Sequence, residues 1–518
     1  MSSITVDFDA IPTLGELPRY HAQRRGAKVA LRCEDRTTSW AELDDRADRV
    51  AGALIAAGCA PGDRIAFVGK GSDRFFELLF GAARAGVVLV PVQWRLAAPE
   101  IAAIVADAGA RMVFADAAHR EALAEAPTPV AMEVEAFDAW RDAAPPAPLP
   151  LVTSGDVAIQ LYTSGTTGLP KGVMLSHANL LAGRRAAAEA DMEWNAWRED
   201  DVGLVAMPLG HIGGVGWALV SLLHGATTII HREFAPAAVL DALSHGGVSK
   251  LFLVPTAIQM LLMSPDATTR DYSRLRHILY GASPIALDLL RQATAVFGCG
   301  FAQQYGMTET CGTIVYLPPE DHDPAGNDRM RSAGLPMPGV ELRVVDPASR
   351  APLPAGAVGE VETRSACNMV GYWRRDDATA ETVSIDGWLR TGDAGYLDND
   401  GYLFIHDRFK DMIVSGAENI YPAEVESAIF GHPAVADVAV IGVPDATWGE
   451  AVKAVVVLRA DAAPDAESII AWAKTRIAPF KAPKSIDFAP ALPRNPAGKV
   501  LRRHLREPYW EGRERGVN

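Results

Sequence analysis

The feature that most narrows the folds open to this chain is an alternation of short apolar runs with longer amphipathic stretches. Leu43, Ala47, Val50, Leu54 and Ala57 recur at steps of four and three, behind a Ser39 to Glu42 capping box and ahead of Gly58, which predicts a helix. The run Arg64 to Val68 follows, then a helical pattern over Phe75 to Ala85, the run Val87 to Val92, a helix near Ile101 and the run Met112 to Ala115. Apolar runs separated by helices predict βαβ units, and so a largely parallel sheet covered on both faces. Pro145 to Pro150 is expected to be a surface loop, and a second α/β series runs from Val157 to about Glu320.

At 518 residues the chain exceeds one core, since single cores stop growing at about 250 to 300 residues. Past the second series, Val340 to Val345 and Gly359 to Thr363 read as strands of a β-rich lobe. From about Asp411 a new set begins: a helix near Ala423 to Ile429, strands Ala436 to Ile441 and Ala451 to Leu458, a helix near Ile469 to Ile477, and the strand Ser485 to Phe488. The expected fold is α/β, a large multi-lobed N-terminal domain with mainly parallel sheets plus a β-rich lobe, followed by a small α+β C-terminal domain.

Apolar residues at 49% and charged residues at 22% are those of a chain that folds, and a net charge of −15 argues against a nucleic-acid partner. Cys33, Cys59, Cys299, Cys311 and Cys367 are odd in number and contain no C-x-x-C pair, which disfavours a disulfide framework or a zinc module. Met1 to Ala10 carries Asp7 and Asp9 and has neither a cationic leader nor an apolar core of a signal peptide. The most apolar stretch, between His211 and His224, holds twelve residues, against roughly 18 for a membrane span. The expectation is a cytoplasmic protein without a transmembrane span.

The densest chemical signal is Tyr162-Thr163-Ser164-Gly165-Thr166-Thr167-Gly168-Leu169-Pro170-Lys171-Gly172, entered from the apolar run Val157 to Leu161. The glycines let backbone N–H groups turn inward, the hydroxyls of Thr163, Ser164, Thr166 and Thr167 add donors, and Lys171 adds a positive charge. Such a loop suits a polyphosphate. It differs from the P-loop pattern because Pro170 precedes Lys171 and Gly172 follows it.

This segment resembles the phosphate-binding signature of the adenylate-forming superfamily, which holds acyl-CoA synthetases, nonribosomal peptide adenylation domains and beetle luciferases. Further stretches resemble its elements in family order: Gly210-His211-Ile212-Gly213-Gly214, Tyr280-Gly281-Ala282-Ser283-Pro284, Tyr305-Gly306-Met307-Thr308-Glu309, Thr391-Gly392-Asp393, Asp407-Arg408-Phe409-Lys410-Asp411 and Pro496-Ala497-Gly498-Lys499. The likeness spans nearly the whole chain and is nearest to the AMP-forming fatty acyl-CoA synthetases. It implies that a carboxylate attacks the α-phosphate of ATP, pyrophosphate leaves, and a thiol then takes the acyl group from the adenylate.

On the matching positions the resemblance implies the following roles. Thr163, Ser164, Gly165, Thr166, Thr167, Gly168 and Lys171 hold the phosphates. Gly281, Ala282 and Ser283 form a backbone wall, Tyr305 and Gln304 take the adenine, and Gly306, Met307 and Thr308 complete that motif. Glu309 binds Mg²⁺, with Thr166 as a second metal contact. Asp393 and Arg408 hold the ribose. Lys499 acts in adenylation, and His211 lies beside the substrate carboxylate.

The same likeness implies a mobile small domain, residues 410–518, that rotates on Lys410 against residues 1–409 between the two steps. Gly416 and Ala417 would line the pantetheine tunnel, where many relatives carry two glycines. Trp448, with Phe480, Lys481 and Lys484, forms an aromatic and cationic mix suited to the coenzyme A nucleotide.

The acid pocket is expected between Gly213 to Trp217, Gly281 to Pro284 and Met307 to Gly312. These residues are small or apolar, and no Asp is evident for a substrate amine, which favours a fatty acid. An aryl-acid CoA ligase and an acyl-AMP ligase serving a carrier protein are the alternatives; a luciferase-like oxygenase and a non-catalytic sensor stand further off. ATP, Mg²⁺ and coenzyme A are the implied cofactor and co-substrates, and a homodimer is left open.

Overall fold

A computed structural model describes residues 4–511 apart from 125–128, 145–146, 164–169, 191, 284, 324, 409–410, 416–417, 461 and 496–497. Among the described residues the strands form four sheets. The first is ordered Gly371–Tyr372, Lys171–Ser176, Val157–Thr163, Val88–Val92, Arg64–Val68, Ala110–Ala115 and Pro129–Ala131. It is parallel from the 157–163 strand onward and antiparallel at the other edge. The second is ordered Leu335–Pro336, Gly312–Leu317, Gly300–Met307, His277–Gly281, Lys250–Leu253, Val202–Val205, Thr227–Ile230, Val29–Cys33 and Arg36–Ser39. Its centre is parallel and its two ends are antiparallel.

The apolar runs are buried because helices cover these sheets. Every residue of the 88–92 strand is buried, and so is nearly all of 64–68, as expected of strands packed on both faces. The helix Trp40–Ala56 starts where its capping box places it: Ser39 Oγ accepts the Glu42 N–H, and the Glu42 carboxylate accepts the Ser39 N–H at 2.7 Å. It packs against the helix Asp73–Ala85 so closely that a Cβ on Gly81 would lie 2.4 Å from Val50 Cγ1.

The β-rich lobe is an antiparallel sheet of Glu341–Val345, Gly359–Arg364, Leu389–Leu397 and Leu403–Arg408. The C-terminal α+β part pairs Val435–Asp445 with Gly449–Leu458 and adds Ile413–Ser415, Glu418–Ile420 and Ser485–Phe488. The first of these strands runs beyond the expected Ala436 to Ile441, because its hairpin partner continues to pair up to Asp445 and Gly449. This part has its own core, in which Val425, Ile429, Val440, Val452 and Ile469 are fully buried. Among the described residues no helix is long and apolar enough to cross a membrane.

Candidate active site

One end of the site is built where two parallel strands of the second sheet finish. Gly281 pairs with Gln304, and a Cβ on Gly281 would lie 2.0 Å from Gln304 O. One on Gly306 would lie 1.8 Å from Gly312 O. Only glycine permits these backbone approaches. Ala282 follows with a φ of 68°, a left-handed conformation that turns the chain sharply at the end of its strand.

Tyr305 bridges two sheets at this point. Its hydroxyl donates to Asp393 Oδ2 at 2.7 Å, while the Asp393 N–H donates to Thr391 Oγ1 at 3.1 Å. Asp393 stands opposite Arg408 in the β-rich lobe, so the Arg408 backbone is beside it; the Arg408 side chain lies outside the described residues. Gln304 accepts the Thr313 hydroxyl through Oε1 at 3.0 Å, which fixes its amide with the nitrogen as the donor end.

The other end comes from the first sheet. An antiparallel pairing of 157–163 with 171–176 sets Thr163 opposite Lys171 at the mouth of the loop. Ser164, Gly165, Thr166, Thr167 and Gly168 lie outside the described residues. Lys171 Nζ sits 4.8 Å from the centre of the Tyr372 ring, and the Tyr372 hydroxyl donates 2.9 Å to Oε1 of buried Glu309. The Glu309 carbonyl accepts the Met369 N–H at 2.8 Å. A cation, an aromatic ring and a carboxylate are thereby linked in series.

Among the described residues no group of three or more His, Cys, Asp or Glu side chains could hold a metal by itself. One buried carboxylate beside a hydroxyl is the donor set for Mg²⁺, which keeps several waters and binds substrate phosphates instead of an all-protein cage. Glu309 and neighbouring Thr308 fit that ion.

Between these ends opens a cavity of about 140 Å³. Its walls come from Ile212, Gly213, Gly216 and Trp217 on the helix Ile212–Leu223, from Ala282, Cys311 and Gly312, and from Arg184 and Ala187 on the helix His177–Glu189. A second cavity of about 300 Å³, bounded by residues 4–9 near the N-terminus, meets the first at Ala187, Asn195 and His224. His211 caps the 212–223 helix without itself lining the first cavity. Burial lowers its pKa to about 4, so its ring is neutral at pH 7, and its Nε2 is buried without a hydrogen-bond partner among the described residues.

The C-terminal part presents two loops. Lys499 closes a turn in which its N–H donates to Asn495 Oδ1 at 2.9 Å and its carbonyl accepts the Asn495 N–H at 2.8 Å. Gly498 packs against Val254 and Thr256, and Arg494 donates to Thr256 Oγ1 at 3.3 Å, so this turn abuts the start of the helix Pro255–Leu262. Gln259 Nε2 adds a bond to Ala436 O at 2.8 Å. On another edge, Trp448 is 53% exposed beside Gly449, which pairs with Ser415. Lys481 is engaged by Glu424 at 2.8 Å, so its charge is already compensated. Lys410, Gly416 and Ala417 lie outside the described residues.

Known proteins resemble this chain along nearly its whole length. The model of the AMP-binding enzyme family matches residues 19–373, and that of the AMP-binding enzyme C-terminal domain matches residues 424–499. The chain belongs to the AMP-binding enzyme family. It is an adenylate-forming enzyme of the AMP-forming acid–thiol ligase class. The fatty acid–[acyl-carrier-protein] ligase ScoC of Streptomyces coeruleorubidus is 44% identical over 98% of each chain. A feruloyl-CoA synthase of an Amycolatopsis species is 39% identical over 96% of this chain and 99% of its own. The ATP-bound crystal structure of MatB from Rhodopseudomonas palustris superposes with a TM-score of 0.88 at 33% identity, covering 96% of this chain and 99% of that one.

In the ligase, Gly281, Ala282, Ser283, Gln304, Tyr305, Gly306, Met307, Thr308 and Glu309 form one continuous rim, with Asp393 joined to it through Tyr305. Lys171 joins through Tyr372. Trp448 belongs to the other loop of the C-terminal part, away from the Lys499 turn in sequence and pairing. Tyr372 and Arg184 were not anticipated from the sequence. The pair Gly371-Tyr372 gives only a short edge-strand signal, and Arg184 follows the helical pattern of its neighbours.

Proposed function

We propose that the ligase activates a short or medium-chain fatty acid as its acyl adenylate and passes the acyl group to the thiol of coenzyme A. A carboxylate oxygen forms a bond to the α-phosphorus of ATP, and the bond to the pyrophosphate oxygen breaks. The thiolate sulfur then bonds to the acyl carbon, and AMP leaves with the electron pair of the broken C–O bond. Tyr305, Gln304 and Asp393 position the adenosine, Lys171 and the 164–168 loop neutralise phosphate charge, and Lys499 meets charge developing during adenylation. Glu309 and Thr308 would hold Mg²⁺, which would supply Lewis acidity there.

The observation that carries this reading is one apolar cavity ending at the rim formed by Ala282, Gln304, Gly306 and Gly312. Its volume of about 140 Å³ matches cavities of about 150 Å³ that take up a benzene-sized group, which suits a short chain. A fatty-acid ligase among the relatives agrees with it.

A second reading replaces coenzyme A by the pantetheine thiol of a carrier protein. The relative that is 44% identical over 98% of both chains is a ligase of that kind.

The test is pyrophosphate release over a panel of straight-chain and aryl acids, followed by thioester formation with coenzyme A or a holo-carrier protein. Acid-dependent release is expected, strongest for short and medium chains. Lys499→Ala should slow release on the order of 10² to 10³-fold while leaving transfer from supplied acyl adenylate largely intact. Absence of acid-dependent release would sink the proposal.

A further inference from the structure

The acyl cavity is apolar over most of its wall, yet a guanidinium enters it. Arg184 is held there by two backbone carbonyls: Nη1 donates to Leu180 O on its own helix, and Nη2 donates 2.9 Å to Gly216 O across the cavity edge. Those bonds fix the guanidinium plane and use only part of its five N–H donors. The Nε is buried and has no hydrogen-bond partner among the described residues.

No carboxylate pairs with Arg184 among the described residues, whereas Arg185, next to it on the outer face, is paired with Asp9 and Glu189. Among the described residues, Cys311, Cys367 and His224 face the Arg184 guanidinium, the Cys311 sulfur within its hydrogen-bonding reach, and they bring no negative charge. Burial pushes the Cys311 thiol up to about 12 and raises that of Cys367, so both stay protonated, and burial holds the His224 ring neutral by lowering its pKa to about 4. Arg184 is half-buried, and a partly desolvated cation without a counter-charge is destabilising. Room for it is nonetheless kept: a Cβ on Gly216 would come within 3.1 Å of Nη2.

We propose that Arg184 is a specificity-determining residue that binds an oxygen acceptor on the acyl part of the acid, so the substrate is an oxo-, hydroxy- or carboxy-substituted acid. A partner for the guanidinium then arrives with the ligand, as a charge-assisted hydrogen bond from a remaining N–H of Nη1 or Nη2. The inference rests on the ligase reading above and extends it to the substituent of the acid.

The experiment measures kcat/KM for pyrophosphate release with pentanoate, 4-oxopentanoate and glutarate. In the wild type at least one oxygenated acid should exceed pentanoate by about 10- to 100-fold, the range of one hydrogen bond to a charged group. In Arg184→Met that ratio should collapse to within about threefold of unity, and Arg184→Lys should keep part of any preference for glutarate. The ratio is taken within each protein, so loss of folded material cancels. Gly216→Ala, which displaces Nη2, gives an independent arm and should lower the ratio as well. The proposal is overturned when wild-type enzyme uses pentanoate as well as both oxygenated acids, or when the ratio survives in Arg184→Met. Either result leaves acid-dependent release, and with it the ligase reading, standing. Failure of that reading is recognised separately, as no release with any acid.

Discussion

Tyr372 joins the charged side chains of Lys171 and Glu309. Its ring lies under Lys171 and its hydroxyl supplies a hydrogen bond to buried Glu309. Tyr372→Phe keeps the ring and removes the donor. It should lower unfolding stability by about 1 to 3 kcal/mol, the range for a buried carboxylate deprived of a partner, and should slow pyrophosphate release. Urea denaturation and the release assay check both; an unchanged midpoint would show that water replaces the phenol. That Gly281, Gly306 and Tyr305 stand close together was legible in the sequence because they sit in contiguous motifs. Tyr372 was not, since its partner Glu309 is 63 positions away and the pair exists only where the first sheet's edge meets the end of the 300–307 strand. Arg184 was hidden for a related reason: a helix pattern says which face a residue occupies, but not that its head reaches a carbonyl on another helix.

At the scale of elements, the helices 40–56 and 73–85 meet at a position with no room for a methyl group. The Gly81 Cβ would lie 2.4 Å from Val50 Cγ1 and 2.9 Å from Ala47 O. Gly81→Ala should therefore destabilise by about 1 to 3 kcal/mol through overpacking, despite alanine's better helix propensity. Adding Val50→Ala should recover part of the loss, and a double-mutant cycle by chemical denaturation measures the coupling. The parallel strands were readable because burial on both faces writes them as continuous apolar runs. Lys171–Ser176 and the edge strand Gly371–Tyr372 mix polar and small residues and are set by their neighbours, so the antiparallel side of this sheet emerged only in three dimensions.

For the whole molecule, acid sensitivity follows from buried histidines. Desolvation lowers His21 and His277 to about 3, and His177, His211, His224 and His322 to about 4. Their unfolded pKa is near 6.5, so between about 4 and 6.5 the unfolded chain binds more protons than the folded one. The stability they contribute is present above pH 6.5 and is lost as pH falls through that window. The urea midpoint should drop between pH 7 and pH 5, with uptake of more than one proton on unfolding at about pH 5. A flat profile over that range contradicts this assignment. The C-terminal part was expected from the restart of pattern near Asp411, and its separate core explains why: a unit with its own buried Val and Ile set repeats the full helix and strand grammar.

The spacing at Gly281 and Gly306 has a bearing on how such an enzyme can change over generations. One half of its reaction chamber is defined by main chain touching main chain, where any added carbon collides, while the other half is furnished by interchangeable side chains from the 177–189 and 212–223 helices. Mutational drift is thus channelled: the energy-carrying molecule stays the same, and new organic acids are acquired by refitting a single wall.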